Sequence, residues 1–533
     1  CSHGRRMLAC VLCCFLWAEL TTAFNVGPAT PRARPKLEKV TDRMSPSRSP
    51  CPPRRGHIIL SATGEPRSIS REMLAIGLPA LLGFAIEPVA SLVDTAFVGR
   101  LCGTADLAGA GVAIAVFNLL AKMFNFLSPA TTSLVAAAAG GAADRPPPRG
   151  SFTPPMARVA TSSLAVAFAI GSCLSALILA LAAPLLTALG VPLASALRRP
   201  ARAYLAARAV GAPATLMLLA LQGAFRGARD TTTPLRALCL ATVVNLVLDP
   251  LLVAQRGLGW GVAGAAAATS ASNIAAALVL TRALASRCAD PAASETRGGA
   301  RPLRVFGLPP PSIAECKRVA LAGSFLTLRT LGVVGTLSYS SIAAGKLGAT
   351  AGAAHQVCSQ LWFATSLLAD AVAVAAQSLL ARCLAASDRL GAMSVVRQSL
   401  FAGMLVGLVA MGGMLLGGKA LCALFTSDPD VLSAALAIWP LVVWSLPLNT
   451  MAFTIDGILY GATDFQFCAL MMACSSVPAV AAMALGARRH GLAAVWGGLA
   501  LLMGLRSVFG VARITSRRGP WAALRPPLSP PPC

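Results

Sequence analysis

Charged residues are scarce in this sequence: they make up 12% of its 533 residues, whereas soluble domains carry roughly a quarter. Histidine is scarcer, with 4 in the chain. A membrane-embedded enzyme would need a convergent catalytic set such as a histidine cluster, so we predict that the protein is not an enzyme. The 16 cysteines are scattered without the spacing of metal ligands, so we expect no structural or catalytic metal and no cofactor.

Acidic residues are also few, which leaves a net charge of +25. A nucleic-acid-binding protein would place basic residues in a soluble domain or interleave them with aromatic residues, and neither pattern is present. Arginine and lysine lie instead in the two termini, in the centre of the chain and in alternate loops, as the positive-inside rule of membrane proteins predicts. We therefore expect a lipid bilayer, and no nucleic acid, as a partner.

Apolar residues are abundant: 56% of the chain is hydrophobic and the mean hydropathy is +0.70. They come in blocks of about 20 or more residues, the length at which a helix crosses a bilayer. This pattern predicts an all-α polytopic membrane protein with about twelve transmembrane helices. The predicted spans are 72–98, 107–137, 156–181, 201–225, 234–254, 262–284, 313–343, 352–382, 395–424, 431–460, 465–485 and 492–513.

Residues 1–70 have the composition of a disordered targeting leader. Arg5 and Arg6 precede a short apolar core, the small residues TTA and then Phe24, which is the layout of a signal peptide. The basic, Pro- and Ser-rich stretch that follows is typical of a plastid transit peptide. We expect a plastid envelope membrane as the destination; an ordinary secretory signal leading to another cellular membrane is the alternative. Met7 is a plausible true start of the chain.

The remaining chain divides into two similar halves. An N-lobe of six spans (71–284) and a C-lobe of six spans (313–515) flank a polar linker (285–312), and a disordered basic and Pro-rich tail (516–533) follows. QGAFRGARD at the end of span four matches DGILYGATD at the end of span ten in four positions. A repeat spaced by six spans predicts two parallel, pseudo-symmetric six-helix bundles related by an axis along the membrane normal.

The repeated segment also predicts local structure. We expect Gly227 and Gly461 to take the left-handed conformation that ends a helix. We expect Asp230 and Asp464 to cap the helix that follows. If the leader, the linker and the tail lie on one side of the membrane, the loops between spans two and three, four and five, and eight and nine (the 2–3, 4–5 and 8–9 loops) lie on that side too. We assign to these loops Arg145, Arg149, Arg226, Arg229, Arg382 and Arg389.

Carboxylates inside predicted spans of the N-lobe are costly unless they are paired, hydrated or functional. Asp94 lies in span one, and Asn245 and Asp249 stack at i, i+4 on one face of span five. With a hydroxyl from Thr269 or Ser270, these groups can hold a shared proton or a sodium ion. A helix-capping or hydrogen-bonding role is the alternative for a single aspartate.

Further polar residues are candidates for lining a substrate cavity. Glu87 lies two turns before Asp94, on the same face of span one. In the C-lobe, Arg329 is either an anion contact or half of a buried pair with Asp370. The proline that follows Asp249 biases that residue away from helical geometry. The full set of cavity and substrate candidates is Glu87, Arg329, Gln356, Gln360, Asp370 and Asp456.

Several motifs together resemble the multidrug and toxic compound extrusion (MATE) transporters, in particular the DinF-like branch of plants and algae. They include PVASLVDTAFVGRL, QGAFRGARDTTTPL, NLVLDPLL and LPLNTMAFTIDGILYGATDF. The resemblance covers about 70–513 and implies twelve helices in two lobes. Asp94, Asn245, Asp249 and Thr269 match the first-lobe cation site of that branch. The C-lobe has no acidic residue in span seven below Glu315, so the cation site of other branches is not expected there.

The resemblance implies a secondary antiporter that exports organic compounds or organic acids against a proton or sodium gradient by alternating access. Plant relatives export organic acids such as citrate or carry phenolic compounds. A lipid-linked flippase of the same broad superfamily is the alternative, and a channel fits a protonatable two-lobed fold less well. We expect a monomer with a small organic substrate.

Overall fold

The computed structural model describes residues 66–102, 104–140, 147–188, 191–192, 194–254, 257–288 and 308–524. Almost all of these residues are helical, because long runs of alanine, leucine and other good helix formers extend over most of their length. The predictions made for the leader and for most of the linker concern residues outside this described part. They remain predictions.

The N-lobe contains seven helices in the described ranges. They are α1 (Pro66–Leu101), α2 (Thr104–Lys122), α3 (Leu127–Gly140), α4 (Pro154–Ala188), α5 (Arg198–Gly227), α6 (Thr232–Val253) and α7 (Gly261–Cys288). The C-lobe contains α8 (Ile313–Lys346), α9 (Ala349–Ala385), α10 (Arg389–Ala423), α11 (Pro429–Trp444), α12 (Leu446–Gly461), α13 (Phe465–His490) and α14 (Leu492–Thr515). A short 3₁₀ helix, Gly519–Leu524, follows.

The predicted all-α membrane fold is confirmed. The described residues contain 11 helices long and apolar enough to cross a membrane, or 12 when α11 and α12 form one bent span. These two helices meet at Ser445 with a bend of 47°. Pro447, which lacks a backbone N–H, lies in the first turn after the bend. The hydropathy pattern gave α2 with α3, and α11 with α12, as single spans.

Matching turns support the predicted internal repeat. Two residues after the last residue of α5 and of α12 lies a non-glycine residue at positive φ, Arg229 at 62° and Thr463 at 55°. The next residue donates its backbone N–H five residues back: Asp230 to Phe225 O over 2.9 Å and Asp464 to Leu459 O over 3.0 Å. Each aspartate then pairs with an arginine at the end of its lobe's last helix.

Those two ion pairs are equivalent by position. Arg287 at the end of α7 lies 2.5 Å from Asp230, and Arg513 at the end of α14 lies 2.8 Å from Asp464. Asp230 also accepts the backbone N–H groups of Thr232 and Thr233 at 3.0 Å, which confirms its predicted role as a helix cap. Asp464 makes no such cap bond, so the prediction for it was wrong: its oxygens are engaged by Arg513 and Trp521.

The repeated glycines serve helix packing rather than helix termination. A Cβ at Gly227 would lie 2.7 Å from Thr132 O on α3, and one at Gly461 would lie 2.9 Å from Gln377 O on α9. Both residues remain helical, so the expected left-handed conformation is wrong for them; it occurs two residues later. The close approach is possible because glycine has no side chain to separate the two backbones.

We expect Gly457→Ala to destabilise the C-lobe, since its added Cβ would lie 2.5 Å from both Cα and O of Ala373. Overpacking of this kind typically costs about 1–3 kcal/mol. Thermal unfolding in detergent, followed by tryptophan fluorescence, should show a lower midpoint. Gly335→Ala on α8 is the matched control: a Cβ there meets nothing within 4 Å. An equal shift in both variants would contradict a packing origin.

The beginning of the tail is ordered, which corrects the prediction of a disordered segment from 516. Trp521 is fully buried and its indole Nε1 donates to Asp464 Oδ2 over 3.1 Å. Leu524 is also buried, in a cluster with apolar residues of α9 and α10. Burial of a tryptophan with a satisfied N–H outweighs the local Pro- and Arg-rich composition.

Candidate functional site

The two lobes contact each other at the ends of the helices that lie nearest the linker and the tail. Gln377 of α9 donates to Pro129 O over 2.6 Å and to Ser133 Oγ over 2.7 Å on α3. Ser133 Oγ in turn donates to Tyr460 O on α12 over 2.6 Å. These buried hydrogen bonds close the interface between the lobes on the linker side of the molecule.

An ionic cluster lies at the same end. Glu72 of α1 is 2.5 Å from Arg229, 3.8 Å from Arg382 and 3.9 Å from Arg149. Arg382 belongs to the C-lobe, so the cluster crosses the interface. Burial and then the charge of Arg382 lower the pKa of Arg229, against the opposing effect of Glu72.

Asp230 shows how loop residues on this face are held. Burial alone would raise the pKa of its carboxyl group, but hydrogen bonds from Thr233 and the ion pair with Arg287 outweigh burial and lower it. The backbone N–H of Gly150, from the 2–3 loop, donates to Ala228 O over 2.9 Å. The 2–3, 4–5 and 8–9 loops thus lie on one face, as the charge pattern predicted.

A central cavity of about 390 Å³ lies between the lobes, next to the hydrogen bonds of Gln377 and Ser133. A cavity of this size suits a small organic molecule. Its lining comes from α1, α3, α5 and α6 of the N-lobe and from α8, α9 and α12 of the C-lobe. The charged and amide-bearing lining residues are Asn125, Gln222, Arg226, Arg329, Asp370, Gln377 and Asp456.

The C-lobe wall is built around Asp456 of α12. Its Oδ2 accepts hydrogen bonds from Arg329 of α8 and, over 2.5 Å, from Arg506 of α14. The guanidinium of Arg506 lies 5.5 Å from the Phe453 ring and that of Arg329 lies 6.0 Å from the Tyr460 ring. One carboxylate therefore neutralises only one of two buried guanidinium groups, and the three side chains carry one net positive charge.

The predicted pair between Arg329 and Asp370 is wrong, because Arg329 is bound by Asp456. Asp370 lies on α9 and lines the same cavity; it feels the charge of Arg329 but forms no hydrogen bond or ion pair with another described residue. The sequence could not distinguish the two aspartates, since the choice depends on how α9 and α12 pack against α8.

The N-lobe wall contributes Arg226, which the charge pattern had assigned to a loop. It lies inside α5, is 8% exposed and donates to Ser128 Oγ over 3.0 Å and to Gln222 Oε1 over 3.1 Å. Its guanidinium carbon lies 4.8 Å from the centroid of the Phe84 ring. Arg226 is the residue before Gly227, the last residue of α5, and so close to a helix end hydropathy alone does not separate a buried arginine from a loop arginine.

A second cavity, of about 360 Å³, lies within the N-lobe. Its polar lining residues are Asn118, Lys122, Asn125, Tyr204, Arg208, Thr215, Gln222, Thr242, Asn245, Thr269, Ser272 and Asn273. Four residues line both cavities: Asn125, Leu219, Gln222 and Leu238. The two cavities therefore adjoin and share part of their walls.

The structure brings together part of the predicted cation site. Asn245 is 5% exposed and donates from Nδ2 to Asp249 Oδ2 over 3.3 Å, while Asp249 is fully buried. Helix α6 continues through Pro250 to Val253, so the expected break at Asp249 does not occur. The i, i+4 spacing puts both groups on one face of α6, as the sequence predicted.

The two candidate hydroxyls differ in what they do. Thr269 lines the N-lobe cavity with Asn245, and its Oγ1 donates to Ala265 O over 2.9 Å. Ser270 points to α5 and donates to Ala207 O over 3.0 Å, so it joins two helices. Asp94 and Glu87 lie on α1, but their side chains are outside the described part of the structure.

Two other candidates lie away from both cavities. Gln356 and Gln360 are exposed on successive turns of α9 and line neither cavity.

Sequence reasoning overlooked Arg208 and Arg506, which are 8% and 1% exposed. Each is a permanent charge inside an apolar run, and that signal could have identified both.

Comparisons with known proteins agree with this architecture. The family model MatE matches residues 79–251 and 331–485, one segment in each lobe. Protein DETOXIFICATION 44, chloroplastic, of Arabidopsis thaliana is 36% identical over 86% of this chain and 84% of its own. Protein DETOXIFICATION 45, chloroplastic, of the same organism is 34% identical over 86% of this chain and 81% of its own.

A crystal structure of MATE in the bent conformation has the same fold. It superposes with a TM-score of 0.73 at 18% identity and covers 85% of this chain and 97% of that chain. The family model and the relatives together match both lobes, including the helices that form the two cavities. The chain therefore belongs to the MatE family of membrane transporters, in its DinF-like plant branch.

Proposed function

We propose that the protein is an antiporter that exports small organic compounds, and organic acids in particular, against a proton or sodium gradient by alternating access. The observation that carries this proposal is the pair of adjoining cavities. One is lined by arginines from both lobes, and the other is lined by Asn245, which donates a hydrogen bond to the buried Asp249. A substrate and a coupling ion would then occupy separate sites with shared walls.

The charge of the central cavity favours an anionic substrate. Arg226 and Arg329 line the cavity together with Asp370 and Asp456, and Arg506, which is buried and is not a lining residue, pairs with Asp456. These five side chains together carry one net positive charge when both carboxylates are ionised. Guanidinium groups bind carboxylates through paired hydrogen bonds. Asp370 can accept a hydrogen bond from a hydroxyl group of the same ligand, so a hydroxy acid would satisfy both kinds of group.

Alternating access requires that substrate and ion each bind the two conformations with different affinity. Binding of an ion at Asp249 would repack α6 and α7 and, through Gln222 and Asn125, alter the wall of the central cavity. The hydrogen bonds of Gln377 and Ser133 would have to break for the linker side to open. For the location we propose a plastid envelope membrane, which the leader composition and the chloroplastic relatives support.

Reconstitution into proteoliposomes tests the proposal. Uptake of labelled citrate and of a cationic dye is measured with a proton gradient or a sodium gradient imposed separately. We expect citrate uptake that depends on one of the two gradients and exceeds the signal of empty liposomes. Uptake of the dye without citrate would overturn the preference for organic acids. Uptake of either substrate without any gradient dependence would overturn coupled antiport.

A further inference from the structure

The ionic cluster on the linker side of the lobe interface has more positive than negative charge. Glu72 Oε1 lies 2.5 Å from Arg229 and 3.9 Å from Arg149, and its Oε2 lies 3.8 Å from Arg382. Three guanidinium groups against one carboxylate leave a net charge of +2. Arg149 and Arg229 belong to the N-lobe and Arg382 to the C-lobe, so this excess charge lies between the lobes.

Two of the three guanidinium groups have unused hydrogen-bond donors. Arg229 donates to Glu72 and, over 2.7 Å, to Pro147 O. Arg149 and Arg382 approach Glu72 only beyond hydrogen-bond distance, and neither donates to another described residue. A guanidinium has five N–H donors. The side chains of Arg149 and Arg382 are 46% and 21% exposed, so a ligand can reach these donors.

Both lobes hold the beginning of α1, and Glu72 with it, at the interface. Met73 is buried in one apolar cluster with Leu379 of α9 in the C-lobe. Thr231 of the N-lobe donates from Oγ1 to Ile76 O over 2.9 Å. The position of the carboxylate is therefore set by backbone and apolar contacts of α1, and the three arginines converge on a fixed group.

A phosphate group matches what the cluster lacks. It carries a charge of about −1.5 to −2 and has three strong acceptor oxygens. Guanidinium groups bind such oxygens through short, charge-assisted hydrogen bonds, often in pairs. The arginines also repel one another: the charges of Arg382 and Arg149 both act to lower the pKa of Arg229. An added anion would relieve that repulsion.

We propose that Arg149, Arg229 and Arg382 form a binding site for a phosphate group at the interface between the lobes. The group belongs either to the headgroup of an anionic lipid or to a soluble phosphate compound. Because the arginines come from both lobes, the ligand binds the conformation in which the lobes meet on the linker side and stabilises it. The site is separate from both cavities and does not depend on the substrate or coupling ion proposed above.

Thermal unfolding of the purified full chain in a neutral detergent at pH 7.5 and constant ionic strength tests the site. The additions are dioctanoyl phosphatidic acid, inorganic phosphate and dioctanoylglycerol, which lacks the phosphate. We expect phosphatidic acid to raise the unfolding midpoint by at least about 3 °C and dioctanoylglycerol to leave it unchanged. An equal rise with inorganic phosphate identifies a soluble ligand, and a rise with phosphatidic acid alone identifies a lipid.

Arg149→Gln and Arg382→Gln remove one arginine from each lobe, and each should at least halve the rise. Arg518→Gln is the matched control: Arg518 is an exposed arginine on the same face with no ion pair to another described residue, so the full rise should remain. Glu72→Gln removes the competing carboxylate and should enlarge the rise.

Two results would overturn the proposal. The first is a wild-type midpoint that neither phosphatidic acid nor inorganic phosphate raises above the value with dioctanoylglycerol; this needs no folded variant. The second is a rise that falls as much in Arg518→Gln as in Arg149→Gln and Arg382→Gln, which would show a general effect of surface charge. Neither result bears on citrate uptake, which tests the proposed function separately.

Discussion

Asp249→Asn abolishes gradient-driven transport while the protein still folds and inserts into the membrane. This is the expected result because the amide cannot take up and release a proton or balance a cation, yet it has nearly the same shape. Asp249 is fully buried and accepts a hydrogen bond from Asn245 over 3.3 Å; an asparagine oxygen can accept that bond equally well. Folding should therefore change little.

The measurement is citrate uptake into proteoliposomes under an imposed gradient, normalised to the amount of inserted protein. We expect a fall to the level of empty liposomes, together with an unfolding midpoint close to that of wild type. Asp106→Asn is the matched control: Asp106 lies in the first turn of α2 and lines neither cavity, so transport should persist. Normal uptake by Asp249→Asn would rule out this carboxylate as the coupling group.

Asp456→Asn should produce the largest loss of stability of any single conservative change considered for this protein. The carboxylate is 4% exposed and is shared by Arg329 and Arg506, whose side chains are 17% and 1% exposed. Without it the two buried guanidinium groups lose the carboxylate that both of them bind. Removing one partner of a buried ion pair typically costs about 3–5 kcal/mol.

Thermal unfolding in detergent and the yield of monodisperse protein measure this effect. Asp370→Asn is the control: it makes the same chemical change in the same cavity, but Asp370 has no ion pair or hydrogen bond with another described residue. It should leave the unfolding midpoint nearly unchanged and alter only substrate binding. Equal losses of stability in the two variants would show that the Asp456 ion pairs do not hold the C-lobe together.

Features set by periodicity were predictable from the sequence. Hydrophobic blocks gave the spans, and the i, i+4 spacing placed Asn245 and Asp249 on one face of α6. The partner of Arg329 was not predictable, because Asp370 and Asp456 lie on different helices and only tertiary packing selects one of them. Arg226 was missed because its position near a helix end resembles that of a loop arginine.

The tail was misjudged for a related reason. Composition describes the average of a segment, whereas one buried contact, that of Trp521 with Asp464, decides the order of residues 519–524. The repeat shows that identical residues do not guarantee identical contacts. The matched segments predicted equivalent helix ends, but Asp230 caps a helix and Asp464 does not.

The docked Trp521 has a practical consequence for protein engineering. A chain shortened at Thr515 would lose the indole donor to Asp464 and would uncover the apolar pocket that holds Leu524. Such a truncation would expose apolar surface and leave the Asp464 carboxylate without one of its hydrogen-bond donors. Affinity tags and fluorescent fusions are better attached beyond Leu524, where they leave the contacts of Trp521 and Leu524 intact.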